Sequence, residues 1–186
     1  PTDVPGAAEY AITSDDIFSL RQAPGKTLCV GAGYIALECA GFLNEVGFDT
    51  TVAVRSRLLR GFDEDCAEKI GEIMHASGNK FLFGVTPKSI TKLDSGKLEV
   101  TLQSTKGEPD IIEQFDTVLY ATGRYADTSG LNLKAAGVDI DTKGKFVSPD
   151  GTESTNVPHI FAVGDVLSGR LELTPVAIDA GEKLVR

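Results

Sequence analysis

Cysteine is scarce in this sequence: Cys29, Cys39 and Cys66 are the three present, and none forms a C-x-x-C pair. An odd count without paired spacing argues against a secreted disulfide framework. Cys29 falls in an apolar strand pattern and Cys39 in an apolar helix pattern, where a free thiol behaves as a small hydrophobe. Histidine is scarcer still. His75 and His159 stand far apart, without Cys or carboxylate companions at ligand spacing, so no metal site is expected. Basic residues are the minority charge, 18 Lys and Arg against 27 Asp and Glu, which gives a net charge of -9. That balance excludes a general nucleic-acid role and a polybasic membrane role. No apolar run approaches the roughly 20 residues that cross a bilayer. The opening PTDVPGAAEY carries no charged-then-apolar targeting pattern.

What is present suits a soluble α/β domain. The 186 residues are enough to bury a core, with 41% hydrophobic and 24% charged residues. KTLCV (26–30) reads as a short apolar strand and YIALECAGFLNEVG (34–47) as a helix ending near Gly47; TTVAV (50–54) is a β-branched strand. EDCAEKIGEIMHAS (64–77) predicts a second helix with acidic residues in its first turn, and NKFLF (79–83) another strand. From Pro87 to Glu113 the pattern alternates about Asp94-Ser95-Gly96, a hairpin signal and so an antiparallel insertion. DTVLYAT (116–122) returns to a buried parallel strand, followed by loop-rich chain from Arg124. HIFAVGD (159–165) is expected to be a strand and TPVAIDAGEKLV (174–185) a helix, with Thr174 as N-cap and Pro175 as its first residue. That final helix has no stop signal before Arg186, and the chain opens in coil without Met. Both ends are those expected of a piece of a longer protein.

Gly31-Ala32-Gly33-Tyr34-Ile35-Ala36 matches G-x-G-x-x-G/A, after a strand and opening a helix. In that setting the first Gly permits the tight turn, the second admits a pyrophosphate and the third small residue lets helix and strand pack. The helix N-terminus then offers N–H groups to phosphate. The second strand selects the dinucleotide. An NAD site wants an acidic residue about 20 positions on. Here the strand runs into Arg55, Ser56, Arg57 and Arg60, with no carboxylate before Asp63. Guanidinium bonds phosphate bidentately, so the cluster predicts a 2′-phosphate and therefore NADPH. At the other end of the sequence, Gly164-Asp165 after FAV can accept bonds from a sugar hydroxyl. The Thr174-Pro175 helix start would stabilise negative charge, as on a reduced flavin.

GAGYIALECAGFL, VRSRLLRGFDED, ATGR, IFAVGDV and ELTPVAIDAG, in this order and spacing, resemble the flavin disulfide reductases. The likeness covers nearly the whole chain and is strongest to the high-molecular-weight thioredoxin reductases and their thioredoxin–glutathione reductase relatives. GAGYIA is closer to the glutathione reductase form, the animal thioredoxin reductases having Ser where Gly33 stands. The resemblance implies a Rossmann-like three-layer domain with a parallel sheet and antiparallel insertion, plus flanking strips of an FAD-binding domain. The expected division is 1–17 for part of the FAD-binding domain, 18–141 for the NADPH-binding domain and 142–186 for the C-terminal part of the FAD-binding domain.

The resemblance also assigns roles. The turn from Gly31 through Ala32, Gly33 and Ile35 to Ala36 would cradle the NADPH pyrophosphate. Arg55, Ser56 and Arg60 would grip the 2′-phosphate, while Arg57 departs from an apolar residue of the animal enzymes and is read as surface. Tyr34 matches the aromatic lid over the flavin, and Glu38 the carboxylate that pairs with a lysine beside it. Gly123 and Arg124 match a second NADPH contact. Asp165 would hold the FAD ribityl chain, and Glu172, Leu173 and Thr174 would line the flavin. Ser14 matches a point where the chain passes FAD. No catalytic residue is expected here, because the family's own FAD glycine motif, its C-x-x-x-x-C redox pair and its dimerisation domain do not occur in the sequence. The expectation is an NADPH- and FAD-binding piece of a homodimeric cytoplasmic disulfide reductase, with the mitochondrion as the alternative compartment and thioredoxin as the substrate. Glutathione or trypanothione reductase remains open, as does a non-catalytic NADPH-binding module.

Overall fold

The computed structural model describes residues 3–186; Pro1 and Thr2, with which the expected 1–17 segment begins, lie outside the described residues. The chain forms two compact units, residues 1–123 and 124–186. In the first, chain order runs α1 (Ala7–Tyr10), β1 (Thr27–Val30), α2 (Tyr34–Glu45), β2 (Thr50–Val54), α3 (Glu64–Ala76), β3 (Lys80–Phe83), β4 (Val85–Lys92), β5 (Leu98–Ser104), β6 (Ile111–Phe115) and β7 (Thr117–Tyr120). A four-stranded parallel sheet has the order β3-β2-β1-β7, and β4-β5-β6 make a separate antiparallel sheet. The parallel order is that of a dinucleotide-binding half.

Three layers follow from the alternation of side chains along the parallel strands. Cys29, Val52, Val54 and Leu119 point to one face and pack with Leu37, Cys39, Ala40 and Leu43 of α2 and Ala67 of α3. Leu28, Val30, Ala53, Val118 and Tyr120 point to the other, against Ile90, Leu98, Val100, Leu102 and Phe115 of the antiparallel sheet. All four residues of β1 and all five of β2 are buried, as sequences without polar alternation require. The first helix of the pattern, α2, buries Ala36, Leu37, Cys39, Ala40 and Leu43, one stripe of a 3.6-residue repeat. Asp63 caps α3 by accepting the Cys66 N–H at 2.9 Å. Residue 12 extends the parallel sheet past β7: the Ile12 N–H donates to Val118 O at 2.9 Å and the Tyr120 N–H to Ile12 O at 2.8 Å.

The antiparallel layer is larger than the expected hairpin. Its turn does fall at Gly96, whose N–H donates to Leu93 O at 2.9 Å. The third strand, IIEQF, lacks the alternation that marks a strand, with two adjacent isoleucines both exposed. Pro87 sits in β4 at a register shift, a place where the missing N–H is tolerated.

The second unit holds a small core of Val138, Phe146, Ala162 and Leu167, two short 3-10 turns and the α-helix α4 (Thr174–Leu184). Two expectations are corrected here. HIFAVGD is no strand; Phe161 makes an isolated bridge with Ser154, and the Ala162 N–H donates to Glu153 O at 2.9 Å. Among the described residues no strand lies beside it, so its backbone groups pair with loops instead. Thr174 is not the N-cap: the cap position belongs to Leu173, which has no side-chain acceptor, and Thr174 starts the helix with Pro175 in its first turn.

Phe115, the last residue of β6, is fully buried in the core between the two sheets. Phe115→Ala is expected to cost about 3–5 kcal/mol in urea unfolding; a loss below about 1 kcal/mol would place the side chain outside the core. Asp116 accepts the Lys26 N–H at 2.8 Å, which holds its carboxyl below the usual carboxylate range. A folded pKa below the unfolded value of about 3.9 gives stability that is complete above that pH and lost as pH falls through the lower folded value. Asp116→Asn should therefore flatten the acid limb of a stability-versus-pH curve; an unchanged limb counts against this bond.

Candidate functional site

The end of β1 and the start of α2 form a tight turn. Gly31 has φ 133°, and a Cβ there would lie 2.4 Å from Ala121 O, in the segment leaving β7. Only glycine allows this approach. Gly33 differs: its φ is -80° and a Cβ would meet nothing within 4 Å. Neither the backbone nor packing calls for glycine at 33, and the missing side chain leaves open space in front of the helix. The first bond of α2 runs from the Leu37 N–H to Gly33 O at 3.1 Å. The N–H groups of Tyr34, Ile35 and Ala36 therefore head the helix without intrahelical acceptors, as helix starts do. Together these features leave a positively polarised helix start with open space at Gly33, the kind of place where an anion is stabilised.

The arginine loop lies against this turn. The Leu59 N–H donates to Ala32 O at 2.7 Å, joining the loop after β2 to the glycine turn. Leu58 and Leu59 are buried while Arg55, Ser56, Arg57 and Arg60 are exposed. Arg57 is paired with Glu64. Arg55 and Arg60 have no carboxylate partner among the described residues, which leaves both guanidinium groups available. Beside Ser56 opens a groove of about 540 Å³ between α3 and β3, walled by Leu58, Phe62, Phe81 and Phe83. No sequence pattern marked it, because its aromatic residues come from separate elements.

The remaining candidates are placed less centrally. Tyr34 is half exposed, at 49%, and Glu38 is exposed one turn further along α2. Gly123 ends the first unit, two residues past Ala121, and Arg124 opens the second. Ser14 is half-buried in a turn fixed by Asp16, whose carboxylate accepts the Thr13 N–H at 2.8 Å and the Thr13 hydroxyl at 2.9 Å. In the second unit, Asp165 is exposed in a turn at Gly164–Val166; a Cβ on Gly164 would come 3.0 Å from Ala177 Cβ, so the turn packs against α4. Leu173 and Thr174 are exposed at the start of α4. Glu172 is committed to an ion pair with Lys145 at 2.5 Å, and that bond holds its carboxyl below the usual range. Lys145 lies 27 residues away and nothing local to Glu172 announced it.

None of the three thiols is set up for exchange chemistry. Burial pushes the Cys29 thiol up to about 12 and raises Cys39 as well, which keeps both protonated. Cys66 is exposed and alone. Among the described residues no His, Cys, Asp and Glu cluster is placed to hold a metal, and no helix is long and apolar enough to cross a membrane.

Sheet order and glycine turn are those of a dinucleotide-binding fold, and the arginines lie on a loop bonded to that turn. Residues 1–181 match the family described as pyridine nucleotide-disulphide oxidoreductase, and the chain belongs to that family. It is 51% identical over 186 residues to thioredoxin reductase of Plasmodium falciparum (isolate FCH-5), covering all of this chain and 33% of that protein. The thioredoxin reductase of isolate 3D7 is also 51% identical, with 29% of its length covered. The chain thus spans about a third of these relatives. In fold it is similar to the HOCl-induced flavoprotein disulfide reductase RclA from Escherichia coli, with a TM-score of 0.83 at 24% identity over 97% of this chain and 40% of that one. The Cu(II) complex of RclA gives 0.82, with 96% and 39% covered.

The two glycines of the turn should respond oppositely to a methyl group. Gly31→Ala is expected to lower stability by about 2 kcal/mol or more, since it combines an unfavourable φ with a backbone clash. Gly33→Ala should leave thermal unfolding within about 0.5 kcal/mol of wild type. Equal effects at both positions would contradict the distinction drawn between them.

Proposed function

We propose that this chain is the NADPH-binding portion, with adjoining FAD-contacting segments, of an FAD-containing disulfide reductase of the thioredoxin reductase type. The observation that carries the reading is Gly33, a glycine with ordinary backbone and empty space before it, beside two arginines without carboxylate partners. A pyrophosphate fits the open seat, and a 2′-phosphate fits Arg55, Ser56 and Arg60. The residue types agree with NADPH: backbone N–H groups at the turn and exposed guanidinium groups on the loop bonded to it, with no carboxylate at the end of β2 to hold a free 2′-hydroxyl.

In this reading the N–H groups of Tyr34, Ile35 and Ala36 bind the pyrophosphate, and Arg55 and Arg60 fix the adenosine end. Tyr34, half exposed at the head of α2, covers the position that the nicotinamide must reach and yields it when NADPH binds. Glu38 pairs with a lysine outside these residues, and Gly123 with Arg124 adds a second nucleotide contact. Asp165 accepts hydrogen bonds from ribityl hydroxyls, and Glu172, Leu173 and Thr174 line the flavin. When bound, the nicotinamide and flavin supply hydride transfer, and the electrons pass on to a cysteine pair outside this chain. The buried, protonated Cys29 and Cys39 take no part.

The 51% identity to two thioredoxin reductases supports thioredoxin as the disulfide substrate and a homodimer as the working form of the whole protein. GAGYIA, nearer the glutathione reductase form, keeps a glutathione-type disulfide as the second reading.

Calorimetric titration of the chain with NADPH and NADH tests the cofactor. NADPH is expected to bind at least about tenfold more tightly, the equivalent of about 1.4 kcal/mol. Arg55→Ala and Arg60→Ala should each weaken NADPH and leave NADH unchanged. Equal affinity for the two nucleotides would overturn the assignment.

A further inference from the structure

We propose that the Leu58-Leu59 pair positions the 2′-phosphate grip, clamping the arginine loop between the glycine turn and α3. The inference rests on the reading of Arg55 and Arg60 as that grip. Sequence alone presents RSRLLR as a basic turn interrupted by two leucines. The structure divides it: both leucines are 8% exposed and belong to the core cluster of β1, β2 and α2, while every arginine points outward.

Leu59 adopts φ 46°, one of two non-glycine residues in the left-handed region among those described. A branched side chain is disfavoured there unless its surroundings impose it. Two bonds do so. The Leu59 N–H donates to Ala32 O at 2.7 Å, and Leu59 O accepts the Phe62 N–H at 2.9 Å. The first bond ends inside the G-x-G turn itself, so the loop that carries Arg60 is registered directly against the pyrophosphate seat.

Leu58 fixes the opposite side. Gly71 lies in the interior of α3, where glycine is a poor helix former. A Cβ at Gly71 would stand 2.6 Å from Leu58 Cδ1, so the glycine is a notch that receives the leucine. Arg57, between Arg55 and the two leucines, is held by Glu64 of the same helix. A ligand that bridges the glycine turn and the arginines needs a fixed distance between them. The leucine clamp sets that distance, and it matters only to a nucleotide carrying the extra phosphate.

Leu59→Gly removes the buried side chain and keeps a residue that adopts φ 46° freely. The dissociation constant for NADPH should rise about tenfold while that for NADH changes by less than about twofold. Leu59→Met, which restores an apolar anchor, should recover most of the NADPH affinity. Should Leu59→Gly fail to fold, Leu58→Ala carries the test, because it empties the notch at Gly71 from outside the nucleotide seat and should cut the NADPH-to-NADH preference in the same way. Equal weakening of both nucleotides, or an unchanged preference, would overturn the clamp and reduce the leucines to ordinary core. A wild-type chain indifferent to the 2′-phosphate would instead overturn the reading of the arginines, and the clamp with it.

Discussion

The close approach at Gly31 is the constraint on which the first unit depends. The parallel sheet must hand its central strand β1 over to α2 within a few residues, while the chain leaving β7 passes alongside. The 2.4 Å between a would-be Cβ and Ala121 O leaves no room for any side chain. Once that contact is made, the N-terminus of α2 points out over the ends of β1 and β7. The helix dipole and the free N–H groups then face solvent at a fixed place. The two glycines of one turn thus differ in role: Gly31 serves the fold, and Gly33 keeps the space in front of it open.

Charge is distributed to match. The chain carries -9 overall, yet the loop after β2 is basic, and of that loop's arginines Arg57 is paired with a carboxylate. A basic loop on an acidic chain is a local positive patch in an otherwise negative field. The cores behind the turn are apolar on both faces of the sheet. Leu28 and Val118 back onto the antiparallel layer while Val52 and Leu119 back onto α2, which gives the turn a rigid floor.

Much of this was legible in the sequence because the determinants are local. A continuous apolar run such as TTVAV can be read as a buried strand, and the glycine spacing fixes strand, turn and helix together. The arginines were legible for the same reason, being contiguous. Features built from distant residues were not. The bond from Leu59 to Ala32 and the Lys145–Glu172 pair join positions that no periodicity connects. IIEQF was unreadable as a strand because its burial pattern does not alternate. HIFAVGD misled for the opposite reason: its apolar composition suits a strand, but a strand also needs a neighbour to take its hydrogen bonds. The notch at Gly71 could not be separated from an ordinary helix glycine until Leu58 was seen to fill it.

The central claim is that one nucleotide engages the glycine turn and the arginine loop together. Amide chemical shifts of the chain, followed by NMR as NADPH is added, test it most directly. The account predicts that the amides of Tyr34, Ile35 and Ala36 and those from Arg55 to Arg60 move along one binding curve, with NADH perturbing the first group far more than the second. Perturbation of only one of the two segments by NADPH, or of neither, would contradict it.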